Sequence, residues 1–187
     1  NYKLFACHAF ARKNKIDQIV MDSPKPRIGI ITSGKSYGDV RQALIDLGIT
    51  DDVARDIGLR VYKVGMPWPL EPQGIRAAVE GLEEVLVVEE KRSLIENQLK
   101  DQLYNWPAGA RPRIVGKFDD SGKWQLPEHG ELTPSLIATV IASRIGRFVT
   151  NSRIEEGVAF IRAKEAALDH QAAAITRTPY FCAGCPH

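Results

Sequence analysis

The sequence predicts an α/β domain in which a mainly parallel sheet is covered by helices on both faces. Between residues 27 and 118, short apolar runs rich in β-branched residues alternate with segments of helical periodicity. Parallel strands require crossover connections, and the helices of these crossovers cover the sheet. With 187 residues, of which 44% are hydrophobic and 26% charged, the chain is long enough for one such domain with an extension.

The elements follow in order along the chain. Residues 4–20 are predicted to form an amphipathic helix, which ends before the two prolines of segment 22–26. Strands are then predicted at residues 27–32, 60–65, 84–90 and 111–118. Helices are predicted at residues 37–48, 51–58, 73–82, 93–105, 133–149 and 152–174. The last two helices follow a polar turn region that begins at Asp119, so they form a helical extension.

Several helices begin with a residue that can accept hydrogen bonds from the first-turn N–H groups. Ser93 and Ser152 are each followed three residues later by glutamate, which is the capping-box pattern. Thr133 precedes a proline at the first helical position. Ser36 and Glu71 are predicted to cap the helices that follow them.

Composition and charge exclude several classes of protein. The chain has 25 basic and 23 acidic residues of mixed order, so it has no basic field that would bind nucleic acid or anionic lipid. No apolar run approaches the roughly 18 residues that span a bilayer. The start lacks both a methionine and a signal-peptide pattern, which suggests a processed or excised chain. Three cysteines cannot form a paired disulfide framework, and we expect a cytoplasmic location.

Residues 29–36 match the phosphate-binding P-loop pattern G-x-x-x-x-G-K-[ST]. In a true P-loop the first glycine follows the strand, whereas Gly29 lies inside the predicted strand 27–32. We therefore expect a tight turn from strand to helix, with Gly34 supplying its special backbone conformation. A weaker anion site at the start of the next helix stays open.

Two further segments could take part in function. Trp68 lies between two prolines after a strand, and we expect it to be half exposed and to pack against a neighbouring domain rather than a small molecule. Glu89 and Glu90 end a strand beside Lys91 and Arg92. Paired carboxylates can perform acid–base chemistry. We favour instead a hydrogen-bonded cluster at an interface.

The chain ends with the pair Cys182 and Cys185, followed by His187. Haem attachment is excluded because Pro186 separates the second cysteine from the histidine. A structural zinc site needs four ligands, and a thioredoxin-like pair opens a helix early in its fold. Iron–sulfur ligation requires two more thiolates. In each metal case the position of the pair predicts that further ligands lie beyond residue 187.

Five blocks, taken together and in this order, resemble the indolepyruvate ferredoxin oxidoreductases, which are thiamine-dependent 2-oxoacid:ferredoxin oxidoreductases. The blocks are GKSYGDVRQAL, YKVGMPWPLEP, VLVVEEKRSLIENQLKDQLYN, HGELTPSLIA and RTPYFCAGCPH. The resemblance covers residues 27–187 and is more specific than any single motif.

The resemblance implies a domain organisation. Residues 27–118 would be a three-layer α/β/α domain similar to the transketolase C-terminal domain, with a mixed, mostly parallel five-stranded sheet. Residues 1–26 would be a helical linker from a preceding domain, and residues 119–174 a helical connector. Residues 175–187 would open the truncated diphosphate-binding domain, where the family's cysteine pair lies near an iron–sulfur cluster. Cys182 and Cys185 are therefore the metal candidates in the parent enzyme.

The resemblance also implies an activity for the parent enzyme. That enzyme oxidatively decarboxylates an arylpyruvate with coenzyme A and passes electrons through [4Fe–4S] clusters to ferredoxin, using thiamine diphosphate and Mg²⁺. Its partners would be the other domains of the same polypeptide, ferredoxin, coenzyme A and further copies in a homo-oligomer. The present chain would be an inactive interdomain scaffold with no catalytic residue and no cofactor of its own.

Two alternatives to the scaffold are kept. In the first, the chain is a free-standing module that holds a phosphorylated ligand at the turn before the Ser36 helix. In the second, it is a zinc-binding interaction domain whose Cys182 and Cys185 pair with those of another copy.

Overall fold

The computed structural model describes residues 2–171. The helices are α1 (Tyr2–Lys13), α2 (Gly34–Asp46), α3 (Asp51–Ile57), α4 (Pro72–Val79), α5 (Ile95–Leu103), α6 (Pro134–Ile145) and α7 (Ser152–Gln171). The strands are β1 (Gln18–Met21), β2 (Ile28–Ser33), β3 (Leu59–Val64), β4 (Glu84–Val88) and β5 (Arg113–Val115). The four strands predicted from apolar runs correspond to β2, β3, β4 and β5, so those predictions are confirmed.

The five strands form one mixed sheet in the order β1-β3-β2-β4-β5. Strand β2 is central and pairs in parallel with β3 and β4, and β4 pairs in parallel with β5. Strand β1 pairs antiparallel with β3, and its register shifts between Ile19 and Met21. The prediction of a mostly parallel sheet is confirmed.

Helices cover both faces of this sheet. Successive side chains of a strand point to opposite faces, so Ile30 and Ile31 of β2 enter different hydrophobic cores. The core around Ile30 also contains buried residues of α2, α3, α6 and α7. The core around Ile31 contains buried residues of α4 and α5. The fold is therefore a three-layer α/β/α domain, as predicted, with the last two helices packed on one face.

The prediction of a helix through residue 20 is wrong. Helix α1 ends at Lys13, and Lys15 has a φ of 50°, which no regular helix permits. Residues 18–21 then pair with β3 as an edge strand. Apolar residues continue through this segment, so periodicity alone could not locate the end of the helix. The pairing with β3, which is distant in sequence, decides the structure.

Helices α6 and α7 occupy the two segments predicted as helical after residue 119. Helix α6 packs on α2, and its Arg144 forms a buried ion pair with Glu84 at the start of β4. Thr133 caps α6 and Pro134 is its first residue, as predicted. Helix α7 approaches the end of α2 through Gly157, where a Cβ atom would lie 2.8 Å from the Cα of Leu47. Among residues 2–171, no helix combines the length and apolar character needed to cross a membrane.

Candidate functional site

The topology places a crevice at the carboxyl ends of β2 and β4. These two strands are neighbours, yet β2 leads into α2 on one face of the sheet and β4 leads into α5 on the other. In open α/β sheets, ligands bind where adjacent connections diverge in this way. A cleft of about 420 Å³ lies at this point. We call it the β2–β4 cleft.

Three segments line the β2–β4 cleft. The first is the start of α2, the second is the segment after β4, and the third is the proline loop after β3. The residues that line the β2–β4 cleft are Ser33, Gly34, Lys35, Ser36, Pro67, Glu89, Glu90, Lys91, Arg92 and Leu94. The structure thus brings together the Gly34–Ser36 turn and the Glu89–Arg92 charge cluster, which the sequence analysis treated separately.

The start of α2 differs from its prediction in one respect. Gly34 adopts a φ of 54°, in the region that favours glycine, so its predicted role in the turn is confirmed. The N-cap, however, is Ser33, whose side chain makes no capping hydrogen bond, so the prediction of Ser36 as N-cap is wrong. Ser36 is instead the third residue of α2. Its side chain is fully buried, and its hydroxyl has no hydrogen-bond partner among the described residues.

The P-loop match does not form a phosphate-wrapping loop. Gly29 lies within β2, where it pairs with Arg60 and Val85 on the two neighbouring strands. A Cβ atom at Gly29 would lie 2.6 Å from the side chain of Leu82, so the glycine permits close packing of the strand. The expectation that this motif is a strand followed by a tight turn is confirmed.

Glu89 is the capping residue of α5. It is 5% exposed, and its carboxylate accepts hydrogen bonds from the backbone N–H groups of Leu94, Ile95 and Glu96 at 3.0, 2.8 and 3.1 Å. The predicted capping box of Ser93 and Glu96 is therefore wrong. Glu89 is hydrogen-bonded, as expected, and oriented N–H groups near a helix N-terminus stabilise its charge. That the charge cluster lies at an interface stays a prediction.

Lys117 is a buried cation near the cleft that the sequence does not predict. It is 1% exposed, and its Nζ donates to the carbonyl oxygens of Glu89 at 2.6 Å and Pro127 at 3.2 Å. Desolvation lowers the pKa of Lys117, and the negative charges of nearby glutamates, with Glu89 the largest, partly oppose this shift. A lysine after a short strand gives no sequence signal that separates it from a surface lysine.

Glu96 connects α5 to the same strand end. Its carboxylate accepts from the backbone N–H of Lys117 at 3.1 Å and from Lys100 Nζ at 2.6 Å. Gly116 makes this approach possible, since a Cβ atom there would overlap the Glu96 carboxylate. The carboxylates of Glu89 and Glu96 are thus both used to hold α5 and β5 in place.

Two basic side chains of the cleft have partners of their own, since Lys35 forms ion pairs and Lys91 Nζ donates to the carbonyl oxygen of Gly130 at 2.8 Å. Lys35 Nζ lies 2.8 Å from Asp39, 3.0 Å from Glu131 and 3.7 Å from Glu90. The hydrogen bond to Asp39, followed by that to Glu131, raises the pKa of Lys35. The Oε1 atom of Glu90 is buried and has no hydrogen-bond partner among the described residues. Lys91 and Arg92 are exposed.

The proline loop after β3 is fixed at several points while its tryptophan is exposed. Glu71 is 2% exposed and caps α4 by accepting from the N–H groups of Gln73 at 3.1 Å and Gly74 at 2.6 Å, as predicted. Gln98 Nε2 donates to the carbonyl oxygen of Pro67 at 2.8 Å. Trp68 is 65% exposed, somewhat more than the half exposure expected, and its packing against a neighbouring domain stays a prediction.

The predicted metal ligands cannot be placed in this structure. Cys182 and Cys185 lie outside the described residues. Within the described part of the chain, no group of three or more His, Cys, Asp or Glu residues is arranged to hold a metal ion.

Comparison with known proteins gives consistent matches. A family model of the indolepyruvate ferredoxin oxidoreductase middle domain matches residues 17–173. The chain is 31% identical over 162 residues to indolepyruvate oxidoreductase subunit IorA of Thermococcus kodakarensis, covering 86% of this chain and 22% of the relative. It is 29% identical over 161 residues to the same subunit of Pyrococcus abyssi, with the same coverage of 86% and 22%. The chain therefore spans about a fifth of the length of these curated relatives.

Two solved structures are also similar. One is a 2-oxoglutarate:ferredoxin oxidoreductase from Magnetococcus marinus with 2-oxoglutarate, coenzyme A and succinyl-CoA bound, at a TM-score of 0.47 and 18% identity over 77% of this chain and 23% of that one. The other is a split-gene transketolase in an inactive β4 tetramer, at a TM-score of 0.46 and 15% identity over 71% of this chain and 42% of that one.

Proposed function

Because the chain belongs to the family of indolepyruvate ferredoxin oxidoreductase middle domains, we propose that it is the central domain of a thiamine-dependent oxidoreductase. In that cytoplasmic enzyme an arylpyruvate such as indolepyruvate reacts with coenzyme A. The products are an aryl-acetyl-CoA, carbon dioxide and two electrons, which pass through [4Fe–4S] clusters to ferredoxin. Thiamine diphosphate with Mg²⁺ supplies the carbanion stabilisation that decarboxylation requires.

Within this enzyme we assign the chain the role of interdomain scaffold, with no catalysis of its own. The observation that carries this assignment is the structural use of the buried charges around the sheet. Glu89 caps α5, Lys117 binds two carbonyl oxygens, and Glu84 pairs with Arg144. A general acid or base must be free to exchange a proton with substrate. These groups instead fasten helices and loops to the sheet.

Exposed aromatic residues mark the surfaces where the other domains of the polypeptide would dock. On α1, Tyr2 is 93%, Phe5 69% and Phe10 61% exposed. Trp68 lies in the proline loop that leads into α4, and the N-cap of that helix, Glu71, pairs with Arg12 of α1. Aromatic side chains are enriched in the cores of protein interfaces, which supports this placement.

The domain boundaries after residues 26, 118 and 174 stay proposals. Strand β1 precedes residue 27 yet joins the sheet, and α6 follows residue 118 yet packs into the core. Limited proteolysis tests the boundaries, because early cleavage occurs where the backbone is exposed and few contacts hold it. Early cuts near residues 26 and 118 would support these boundaries. A resistant core that extends from about residue 17 to residue 170 would replace them with a single unit.

We also propose that Cys182 and Cys185 ligate an iron–sulfur cluster in the parent enzyme, with the remaining ligands supplied by other parts of that protein. Anaerobic analysis of iron, sulfide and zinc tests this proposal on the 187-residue chain beside a longer protein that contains it. We expect iron and sulfide only in the longer protein. A content of about one zinc per chain in the short protein would favour the zinc-binding module instead.

Calorimetry with thiamine diphosphate and Mg²⁺ tests the scaffold proposal. We expect no binding to the 187-residue chain at micromolar concentrations, and binding to the longer protein that carries the flanking domains. A dissociation constant of about 1 μM for the chain alone, equivalent to about −8 kcal/mol, would overturn the scaffold role.

A further inference from the structure

We propose that the β2–β4 cleft binds a phosphate group that still carries a proton, either free hydrogen phosphate or the phosphate end of a larger ester. This is a binding function beyond the scaffold role. It rests on the geometry of the cleft, so it stands or falls independently of the thiamine-dependent activity.

The first part of the site is the N-terminus of α2. Ser33 occupies the N-cap position without a side-chain hydrogen bond, so the helix start has no capping oxygen. The first N–H groups of any helix lack intrahelical acceptors, and the helix dipole adds partial positive charge at that end. Helix α2 has 13 residues, and its first three residues line the cleft. Oxygen atoms of an anion would satisfy these donors.

The second part is Ser36, which is independent evidence for a ligand. Its side chain is fully buried and lines the cleft, yet its hydroxyl makes no hydrogen bond with the described residues. Buried polar groups in folded proteins nearly always have a partner, because an unpaired one costs free energy. A phosphate oxygen at the α2 N-terminus would accept a hydrogen bond from this hydroxyl.

The third part is Glu90, which determines the kind of anion. Its Oε1 atom is buried and lines the cleft 3.7 Å from Lys35 Nζ, yet it accepts no hydrogen bond from the described residues. A carboxylate oxygen accepts hydrogen bonds but cannot donate them. A fully deprotonated anion would therefore be repelled by Glu90, whereas the O–H of hydrogen phosphate would donate to it. Sulfate has the same shape as phosphate but carries no proton at neutral pH.

The charge around the cleft agrees with a singly or doubly charged ligand. Three basic side chains line it, namely those of Lys35, Lys91 and Arg92. Lys35 is also paired with Asp39 and Glu131, which lie outside the lining. Two carboxylates also line it, and that of Glu89 already accepts hydrogen bonds from the N–H groups of α5. The cleft of about 420 Å³ exceeds the space that one phosphate fills, which leaves room for the rest of a phosphate ester.

Titration calorimetry of the 187-residue protein with inorganic phosphate, sulfate and glycerol phosphate tests the proposal. We expect phosphate to bind with a dissociation constant of about 1 mM and sulfate to bind at least about tenfold more weakly. The second proton of a phosphate ester leaves near pH 6, so an ester ligand should bind more tightly at about pH 5.5 than at about pH 7.5. If glycerol phosphate does not bind at either pH while inorganic phosphate binds, the ligand is free phosphate.

Two variants with matched controls locate the site. Ser36→Ala should weaken phosphate binding about tenfold, the effect of losing one hydrogen bond to a charged group, whereas the exposed Ser143→Ala should have no effect. Glu90→Gln should bring sulfate and phosphate to about equal affinity, because an amide can donate to sulfate. Glu131→Gln removes a neighbouring charge outside the cleft, so it should leave the phosphate-to-sulfate ratio unchanged.

Three results would overturn the proposal. They are no phosphate binding up to roughly 50 mM, equal affinity of the wild-type protein for sulfate and phosphate, or unchanged binding in a folded Ser36→Ala protein. If Ser36→Ala does not fold, the ratio of phosphate affinity to sulfate affinity in Glu90→Gln decides alone. A ratio that stays at the wild-type value in that variant would then exclude the site.

Discussion

Strand β4 has a buried carboxylate at each end, and the two are stabilised in different ways. Glu84 begins the strand, is fully buried, and receives two hydrogen bonds from the guanidinium of Arg144, a residue 60 positions later on α6. Glu89 follows the strand and receives its hydrogen bonds from backbone N–H groups within seven residues. One carboxylate is balanced by a distant opposite charge and the other by local dipoles.

The different stabilisation of Glu84 and Glu89 shows that the two edges of the sheet have different roles. At the amino-terminal edge of β4, a charge pair fixes a distant helix to the sheet, with Arg113 and Asp120 adding further ionic contacts. At the carboxyl edge, Glu89 and Lys117 are satisfied by nearby backbone groups. Ser36 and Glu90 there each keep a side-chain oxygen that forms no hydrogen bond within residues 2–171. The first edge holds the architecture together, and the second has capacity for a ligand.

The largest effect is expected from breaking the charge pair. Arg144→Ala leaves Glu84 buried with only the 3.5 Å contact from Arg113, and the free energy of unfolding should fall by about 3–5 kcal/mol. Chemical denaturation with urea measures this change. Arg147→Ala is the matched control, because Arg147 is exposed and pairs with Asp120 rather than with Glu84, so its loss should cost at most about 1 kcal/mol.

The double variant Glu84→Leu with Arg144→Met sharpens the same comparison. Both charges are then removed and the volume is largely kept, so the stability should recover most of the loss seen in Arg144→Ala. A double variant as unstable as the single one would mean that the destabilisation comes from lost packing of α6 rather than from an unpaired charge.

A smaller effect is expected at the other end of β4. Glu89→Ala removes the acceptor of three N–H groups of α5, and the free energy of unfolding should fall by about 1–3 kcal/mol. Ser93→Ala is the control, because Ser93 makes no capping contact in the structure; its effect should stay within about 0.5 kcal/mol. Equal losses in the two variants would restore Ser93 as the cap.

The pH dependence of stability tests Lys117. Its pKa is lowered in the folded protein, so between that value and the unfolded pKa near 10.4 the unfolded state binds more protons. The stability of the wild type relative to Lys117→Met should therefore rise as the pH increases through this window. Urea unfolding at a series of alkaline pH values measures the slope. A flat or falling difference would show that Lys117 keeps an ordinary pKa despite its burial.

The smallest effect is expected at Asp120. The hydrogen bond from Arg147 is the main cause that lowers the pKa of this carboxyl, and Arg144 contributes as well. Its stabilising contribution is therefore complete above the unfolded pKa near 3.9 and is lost as the pH falls through the lower folded value. The difference in melting temperature between wild type and Asp120→Asn should shrink on acidification. A difference independent of pH would exclude a charge-based role.

The sequence was sufficient for the parallel part of the fold. Strands β2 and β4 are continuous runs of apolar residues between turn signals, and this pattern depends only on burial on both faces. Strand β1 was missed because it is an edge strand of four residues whose partner, β3, lies about 40 residues away. Nothing local distinguishes such a segment from the end of the preceding helix.

The site was predictable only in part. The turn at Gly34 and the cap at Glu71 follow from local chemistry, and both were found. Ser93 is predicted as a cap because Glu96 follows three residues later, but the acceptor comes from Glu89, across a turn that brings the end of β4 back to the helix. Lys117, from the segment after β5, contacts the backbone of the same residue, Glu89. Contacts that depend on the arrangement of three elements leave no pattern in a single stretch of sequence.

The register shift in β1 has a consequence for solubility. An edge strand exposes a row of unpaired N–H and C=O groups, and another chain can extend the sheet by pairing with them. In β1 the irregularity between Ile19 and Met21 interrupts that row within four residues. Bulges and short edge strands are devices by which proteins avoid edge-to-edge aggregation. We therefore expect the irregular strand to disfavour edge-to-edge pairing on this side of the sheet, even though Ile19 is 44% exposed.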